Sequence, residues 1–275
     1  VPLSRALVRL APIVAIASAL ALTTWGMPGR ADSSLSAGEM ASVANRASHL
    51  GAAPSTSSSA PTAGHGPFVI DEGRCNEQPP QPFLIRSSWF GHGAPGTAMF
   101  QESIHYRTEH YGRFPGFGRA EWNSHAPRFY ETKTTFLGLP ITLNRKVVPA
   151  LHCAEKALLA DGAVKAYRPR GIGGIRFHNT YRGGEVSNHV YGIAMDMDSE
   201  ENTCCGCVGH WAKHPLCMKK VKSVYERTKV PPIWVDTMAR FGWYWLGNDV
   251  LQDTMHFEFL GDPDKIVSAP AAGSN

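Results

Sequence analysis

Two imidazoles and two carboxylates in the second half of this 275-residue chain have the types and spacing to do chemistry together. His189 and Asp196 stand at either end of His189-Val190-Tyr191-Gly192-Ile193-Ala194-Met195-Asp196, with small residues at 192 and 194 between them. Further along, Asp253-Thr254-Met255-His256 adds a second imidazole with a carboxylate three residues before it. Two His and one Asp can hold a zinc ion and leave its fourth position open for water. The remaining carboxylate, Asp253, can then take a proton from that water. The chemistry on offer is metal-assisted hydrolysis.

Such a site needs elements that turn tightly and then hold still. Gly192 lets the backbone turn between His189 and Asp196, and Ala194 lets another segment pack against the strand. In a strand, residues 194 and 196 share one face, so Asp196 points into the cleft that His189 enters from the preceding loop. In Met255-His256-Phe257-Glu258-Phe259, alternation sends His256 and Glu258 to one face and the aromatics to the other. Asp253, just before that strand, can lie over the open position of the metal. The spacing predicts strands at 174–180, 193–197, 243–246 and 255–260. Helices are predicted over 97–111, over 144–160 with Asn144 as cap and Val148, Leu151, Ala154, Leu158 and Leu159 as its apolar face, and over 231–241 with Gly242 as the stop. Helices around a small, mostly antiparallel sheet make the fold class α+β.

Singly these signals are weak: a lone His on a strand is more often structural, and an Asp at a strand end is usually a turn former. Together, Ser-x-His-x-x-Gly-x-Ala-x-Asp over 187–196 and carboxylate-x-x-His over 253–256 resemble the D-alanyl-D-alanine carboxypeptidase superfamily of zinc peptidases. That superfamily includes L-alanyl-D-glutamate endolysins and shares its fold with the hedgehog signalling domain. The resemblance is sharp over 183–196 and 241–259. It implies zinc ligands at His189, Asp196 and His256, a general base at Asp253, and a supporting hydrogen-bonding role for Ser187. It also implies an upstream arginine that stabilises the oxyanion or binds a substrate carboxylate. Arg182 is taken first, as the nearer to the motif, with Arg176 as its competitor.

The rest of the chain supplies context. Arg5 and Arg9, the apolar run over 10–25 and the small residues near 29–31 have the layout of a secretory signal peptide, assigned to 1–31. The run is shorter than the ~20 apolar residues of a spanning helix, so no stable membrane span is expected after processing. Residues 32–66, rich in Ser, Ala, Thr, Gly and Pro, read as a flexible linker; 67–267 as the peptidase domain; 268–275 as a tail. A net charge of +4 without a Lys/Arg block gives no reason to expect nucleic acid as a partner. Six cysteines in an exported chain favour disulfides, of open connectivity, over a second zinc in the cluster Cys204, Cys205, Cys207, Cys217.

Other patterns are set aside. Gly91 to Gly96 spells a dinucleotide fingerprint but lacks a βαβ setting. His105 and Glu109 read as a solvated helix face, His210 and His214 as part of a disulfide-tied loop, and Trp243 and Trp245 as core and cleft wall. The resulting expectation is an exported zinc peptidase of a bacterial periplasm or cell wall, monomeric, acting on peptidoglycan stem peptides. Removal of a terminal D-Ala is preferred over L-Ala–D-Glu cleavage. A catalytically silent zinc-stabilised wall-binding module is the rival of another class, and a wall-anchored structural protein a third.

Overall fold

Short alternating runs build the sheet that carries the candidate residues. The computed structural model describes residues 69–70, 73–86, 96–181, 185–207, 211 and 213–268. The segments read as signal peptide and linker, the glycines at 91–95, Arg182, His210 and residues 269–275 lie outside the described residues. Along the chain come β1 (Val69–Ile70), β2 (Gly73–Cys75), α1 (Ala98–Tyr111), β3 (Glu131–Phe136), β4 (Leu139–Asn144) and α2 (Val148–Ala160). They are followed by β5 (Ile172–Gly173), β6 (Ala194–Met197), the one-turn α3 (Pro215–Met218), α4 (Pro232–Ala239), β7 (Trp243–Trp245), β8 (His256–Phe259) and β9 (Val267–Ser268). The fold is α+β.

The main sheet has the order β5-β6-β8-β7, with every pairing antiparallel. Its register sets Asp196 opposite His256 and Ala194 opposite Glu258. One sheet face buries Met195, Met197, Trp243, Trp245, Phe257 and Phe259 in the core, together with Trp234 of α4. The other face carries Asp196, His256 and Glu258 toward the site, following from the two-residue period of a strand. Both tryptophans are thus core, at 0% and 1% exposure.

The α1 expectation holds closely: Thr97 accepts a hydrogen bond from the Phe100 N–H as N-cap, and His105 and Glu109 are exposed. For α2, two details differ from expectation. Asn144 does not cap the helix; it ends β4, and its Nδ2 donates to the carbonyls of Tyr111 and Tyr191 while Oδ1 accepts from the Lys146 N–H. An amide that can join three segments is worth more there than at a cap. Leu159 is 49% exposed, because the buried stripe runs through Ala150, Leu151, Cys153, Ala154, Ala157 and Leu158.

The expected strand over 174–180 is not formed beyond β5. The Gly174 carbonyl is taken by the His189 ring, the Ile175 N–H donates to Thr142, and the Arg176 N–H donates to His189. Backbone groups shared among separate segments cannot form one ladder. A Cβ on Gly174 would sit 2.2 Å from the Thr142 carbonyl oxygen, so only glycine allows this approach. The β3–β4 hairpin was not expected. Its two-residue turn places Leu137 at φ 51° and Gly138 at φ 83°, the hand that suits strand twist, but with Leu where Asn or Asp is the usual signal.

Candidate metal centre

The site starts from a single turn of 3₁₀ helix. Ser187 caps residues Asn188–Tyr191, its Oγ accepting from the His189 N–H at 3.4 Å, and the Ser187 N–H donates to Asn179 Oδ1 at 3.0 Å. Gly192 ends the turn at φ 70°, where its N–H donates to the His189 carbonyl. The chain then enters β6 and delivers Asp196 directly across from His256. His189 Nε2, His256 Nδ1 and Asp196 Oδ1 form a triangle, with His189–His256 at 3.1 Å, His189–Asp196 at 3.1 Å and His256–Asp196 at 3.0 Å. Donors bound ~2.0–2.1 Å from one zinc ion fit separations of this size.

The outer nitrogens decide what the inner ones can do. His189 Nδ1 lies 2.6 Å from the Gly174 carbonyl, which only accepts, so the proton sits on Nδ1 and the Nε2 lone pair faces the triangle. His256 Nε2 lies 3.2 Å from Glu258 Oε2, which leaves Nδ1 to face inward in the neutral ring. Three lone-pair donors therefore converge, and a positive charge must sit among them. Without a metal, that charge is a proton. Burial lowers His189. Burial opposes charge on His256 too, but hydrogen bonds and charge from Asp196 and Glu258 outweigh it and push the ring up to about 10. Burial would raise Asp196, yet the two imidazoles hold it far below the usual carboxylate range. The donor set fits a divalent ion, which would take the place of that proton.

Glu258 is a participant that sequence reasoning placed on the right face without assigning it work. It is fully buried, accepts from Asn188 Nδ2 at 2.9 Å, and lies 3.5 Å from the guanidinium of Arg86. Arg86 is itself 1% exposed and packs over the Tyr181 ring at 4.5 Å. Arg107 of α1 braces the turn from behind, donating to the Val186 carbonyl and to Asn188 Oδ1. Neither arginine has a local motif; their roles arise only from the tertiary fold.

Asp253 lies on the loop before β8, 8% exposed, with no hydrogen-bond partner for Oδ1. Burial is the main cause of its pKa being pushed up to about 7, against the pull of His256. Arg176 flanks the triangle from the open side: its Nη2 lies 3.2 Å from Asp196 Oδ2, and its side chain is about one-third exposed. With Arg182 outside the described residues, Arg176 is the arginine seen at the centre. Cys204 and Cys207 approach Asp253 closely enough to form a second candidate cluster, but they are bonded to each other. The remaining pairs are Cys75–Cys153 and Cys205–Cys217, so all six cysteines are disulfide-bonded.

Residues 181–259, the segment holding the triangle and Asp253, match the family model of D-alanyl-D-alanine carboxypeptidase. Over this segment the chain is similar to the D-alanyl-D-alanine carboxypeptidase family of peptidases. The domain is thus a peptidase by type. No curated protein and no solved structure matches the chain. Among the described residues of this peptidase, no helix is long and apolar enough to cross a membrane.

Proposed function

We propose that the chain is an exported, zinc-dependent peptidase that hydrolyses peptidoglycan stem peptides, with D-Ala-D-Ala carboxypeptidase activity as the leading reading. The observation that carries it is the triangle of His189, Asp196 and His256 with an unpaired carboxylate, Asp253, on the adjoining loop. In this reading His189, Asp196 and His256 hold the metal. A bound zinc ion supplies Lewis acidity, polarising the scissile carbonyl and acidifying water toward a pKa of ~7. Asp253 accepts the proton of the attacking water and passes it to the leaving amine. Ser187 keeps the His189 turn in place. Arg176, or Arg182, offers the cation for the developing oxyanion or the terminal carboxylate of the substrate.

The signal peptide over 1–31 and the linker over 32–66 support delivery to a bacterial cell wall, and three disulfides are compatible with an oxidising compartment. On this reading the protein works as a monomer, without nucleic acid, on the peptide arms of the wall. One observation favours internal L-Ala–D-Glu cleavage as a second reading. Two open hollows of about 880 and 670 Å³ meet at Ile172 of β5, one lined by Gly174 and the other by Asp196, and together they offer an extended surface for peptide beside the triangle. Incubation of purified protein with muropeptides, followed by mass analysis, separates the readings. Loss of a terminal D-Ala supports the first and scission after L-Ala the second. If neither product forms in a zinc-dependent manner, the silent wall-binding module takes their place.

A further inference from the structure

The segment 203–207 has no part in the reaction described above, yet two disulfides and several hydrogen bonds tie it down beside Asp253. Cys204 bonds to Cys207 within the segment, and Cys205 bonds to Cys217 of α3. This strap runs antiparallel against the loop that carries Asp253, with Cys204 directly opposite Asp253. The Thr254 N–H and hydroxyl both donate to the Thr203 carbonyl at 2.9 Å. From the other side, the Cys205 N–H donates to Gln252 at 3.3 Å and the Gly206 N–H to Leu251 at 2.6 Å. The approach is close enough that a Cβ on Gly206 would lie 2.4 Å from the Leu251 carbonyl oxygen. Cys204, Leu251 and Met255 bury one another, with Tyr181, Cys207 and Trp211 packed around them. The sulfurs of Cys204 and Cys207 and a carboxylate oxygen of Asp253 lie within 4.8 Å of one another.

We propose that the Cys204–Cys207 disulfide is a positioning element for Asp253, acting by pinning the strap onto residues 251–254. The inference rests on Asp253 being the general base. Because Asp253 Oδ1 has no partner, no side-chain hydrogen bond there fixes the carboxylate, and its position is inherited from the backbone. That backbone includes Gln252 at φ 45°, a left-handed conformation that is unfavourable for a non-glycine residue and persists only where neighbours hold it. Opening the short 204–207 ring frees the strap to peel away and lets Gln252 relax. The metal donors are spared, since His189, Asp196 and His256 lie on neither the strap nor the 251–254 loop. The same opening follows from a dithiol reductant: the S–S bond breaks, two thiols form, and the dithiol closes to its own disulfide, giving up two electrons and two protons.

The test compares full-length Cys204→Ser/Cys207→Ser with Cys75→Ser/Cys153→Ser, which unties β2 from α2 instead. Turnover of muropeptide, zinc per chain and amide exchange at 251–254 are measured for each. The strap variant is expected to lose about 10²-fold in kcat, the scale of a misplaced catalytic group. Its KM and zinc content should stay as in the parent, with faster exchange confined to 251–254. The control should melt earlier but turn over like the parent once folded. Parent protein reduced with dithiothreitol, freed of the reductant and restored to parental zinc content should show the same loss, reversed on reoxidation. A strap variant with parental kcat overturns the inference, as does one whose zinc content falls in step with kcat. If the parent itself gives no zinc-dependent product, the assignment of Asp253 fails; exchange at 251–254 then still decides the strap, faster exchange supporting it and parental exchange overturning it.

Discussion

The three converging donors of the candidate metal centre and Asp253 lie close together but are built on opposite principles. Each donor is fixed twice: His189 by Gly174 and a capped turn, Asp196 by the β6–β8 ladder and Arg176, His256 by the same ladder and Glu258. Asp253 sits on an irregular loop, in an apolar socket, with an oxygen left unsatisfied. Rigid donors lower the cost of organising a metal site, because the ligand geometry exists before the ion arrives. An unsatisfied buried carboxylate does the reverse: it costs the fold stability and keeps a proton acceptor near neutral affinity. Binding and catalysis should therefore fail separately.

The largest effect follows from attacking the rigid half. Asp196→Ala removes the oxygen that bridges both imidazoles, and His256 then loses the partner that orients its inner nitrogen. Metal analysis should find the variant essentially without zinc after dialysis, and turnover should vanish with it. Asp253→Ala attacks the other half. Turnover should fall ~10²–10⁴-fold, the usual contribution of a general base, while zinc per chain stays at the parental value. Loss of zinc in Asp253→Ala would break the comparison, because the carboxylate would then be acting as a ligand.

The two halves also differed in how far sequence could reach. His189, Asp196 and His256 were legible because their spacing is local to two strands and a turn, and the period of a strand fixes which side chains share a face. Asp253 was legible from its place three residues before His256. The partners that tune these residues were not. Arg86 reaches Glu258 from a position far upstream, and Arg107 reaches Asn188 from α1; neither contact has a sequence period. Likewise, the run 174–180 has strand-like composition, but Gly174, Ile175 and Arg176 bond to different segments. The β3–β4 hairpin hid behind Leu137, a buried residue at 5% exposure that stands in a left-handed turn position where Asn or Asp is the usual signal.

A smaller effect sharpens the account of the rigid half. Glu258→Gln keeps size and hydrogen-bonding capacity but removes the charge that Arg86 and His256 share. Partners that orient a metal-bound imidazole typically contribute 10–100-fold in affinity. Zinc titration against a competing chelator should show weakening of about that size, with a modest loss of turnover at saturating zinc. Unchanged affinity would mean that the β6–β8 register alone orients His256.

The smallest expected effect tests the unsatisfied half through stability. In the metal-free fold the Asp253 carboxyl titrates near 7, raised chiefly by burial, whereas an unfolded chain would titrate near ~3.9. The folded state thus binds this proton more tightly. The associated stability is complete below the unfolded value, declines as pH rises, and is gone once pH passes the folded value. Asp253→Asn cannot ionise, so the variant and parent should melt alike near pH 4. Above pH 7 the variant should be more stable by at most ~4 kcal/mol, the whole of a shift from ~3.9 to about 7 at ~1.4 kcal/mol per unit, which is several degrees in melting temperature. Zinc should narrow that gap, because a dication in the adjoining triangle compensates the buried charge. A gap that is independent of pH would show that water or a side chain already satisfies the carboxylate, and that the socket costs nothing.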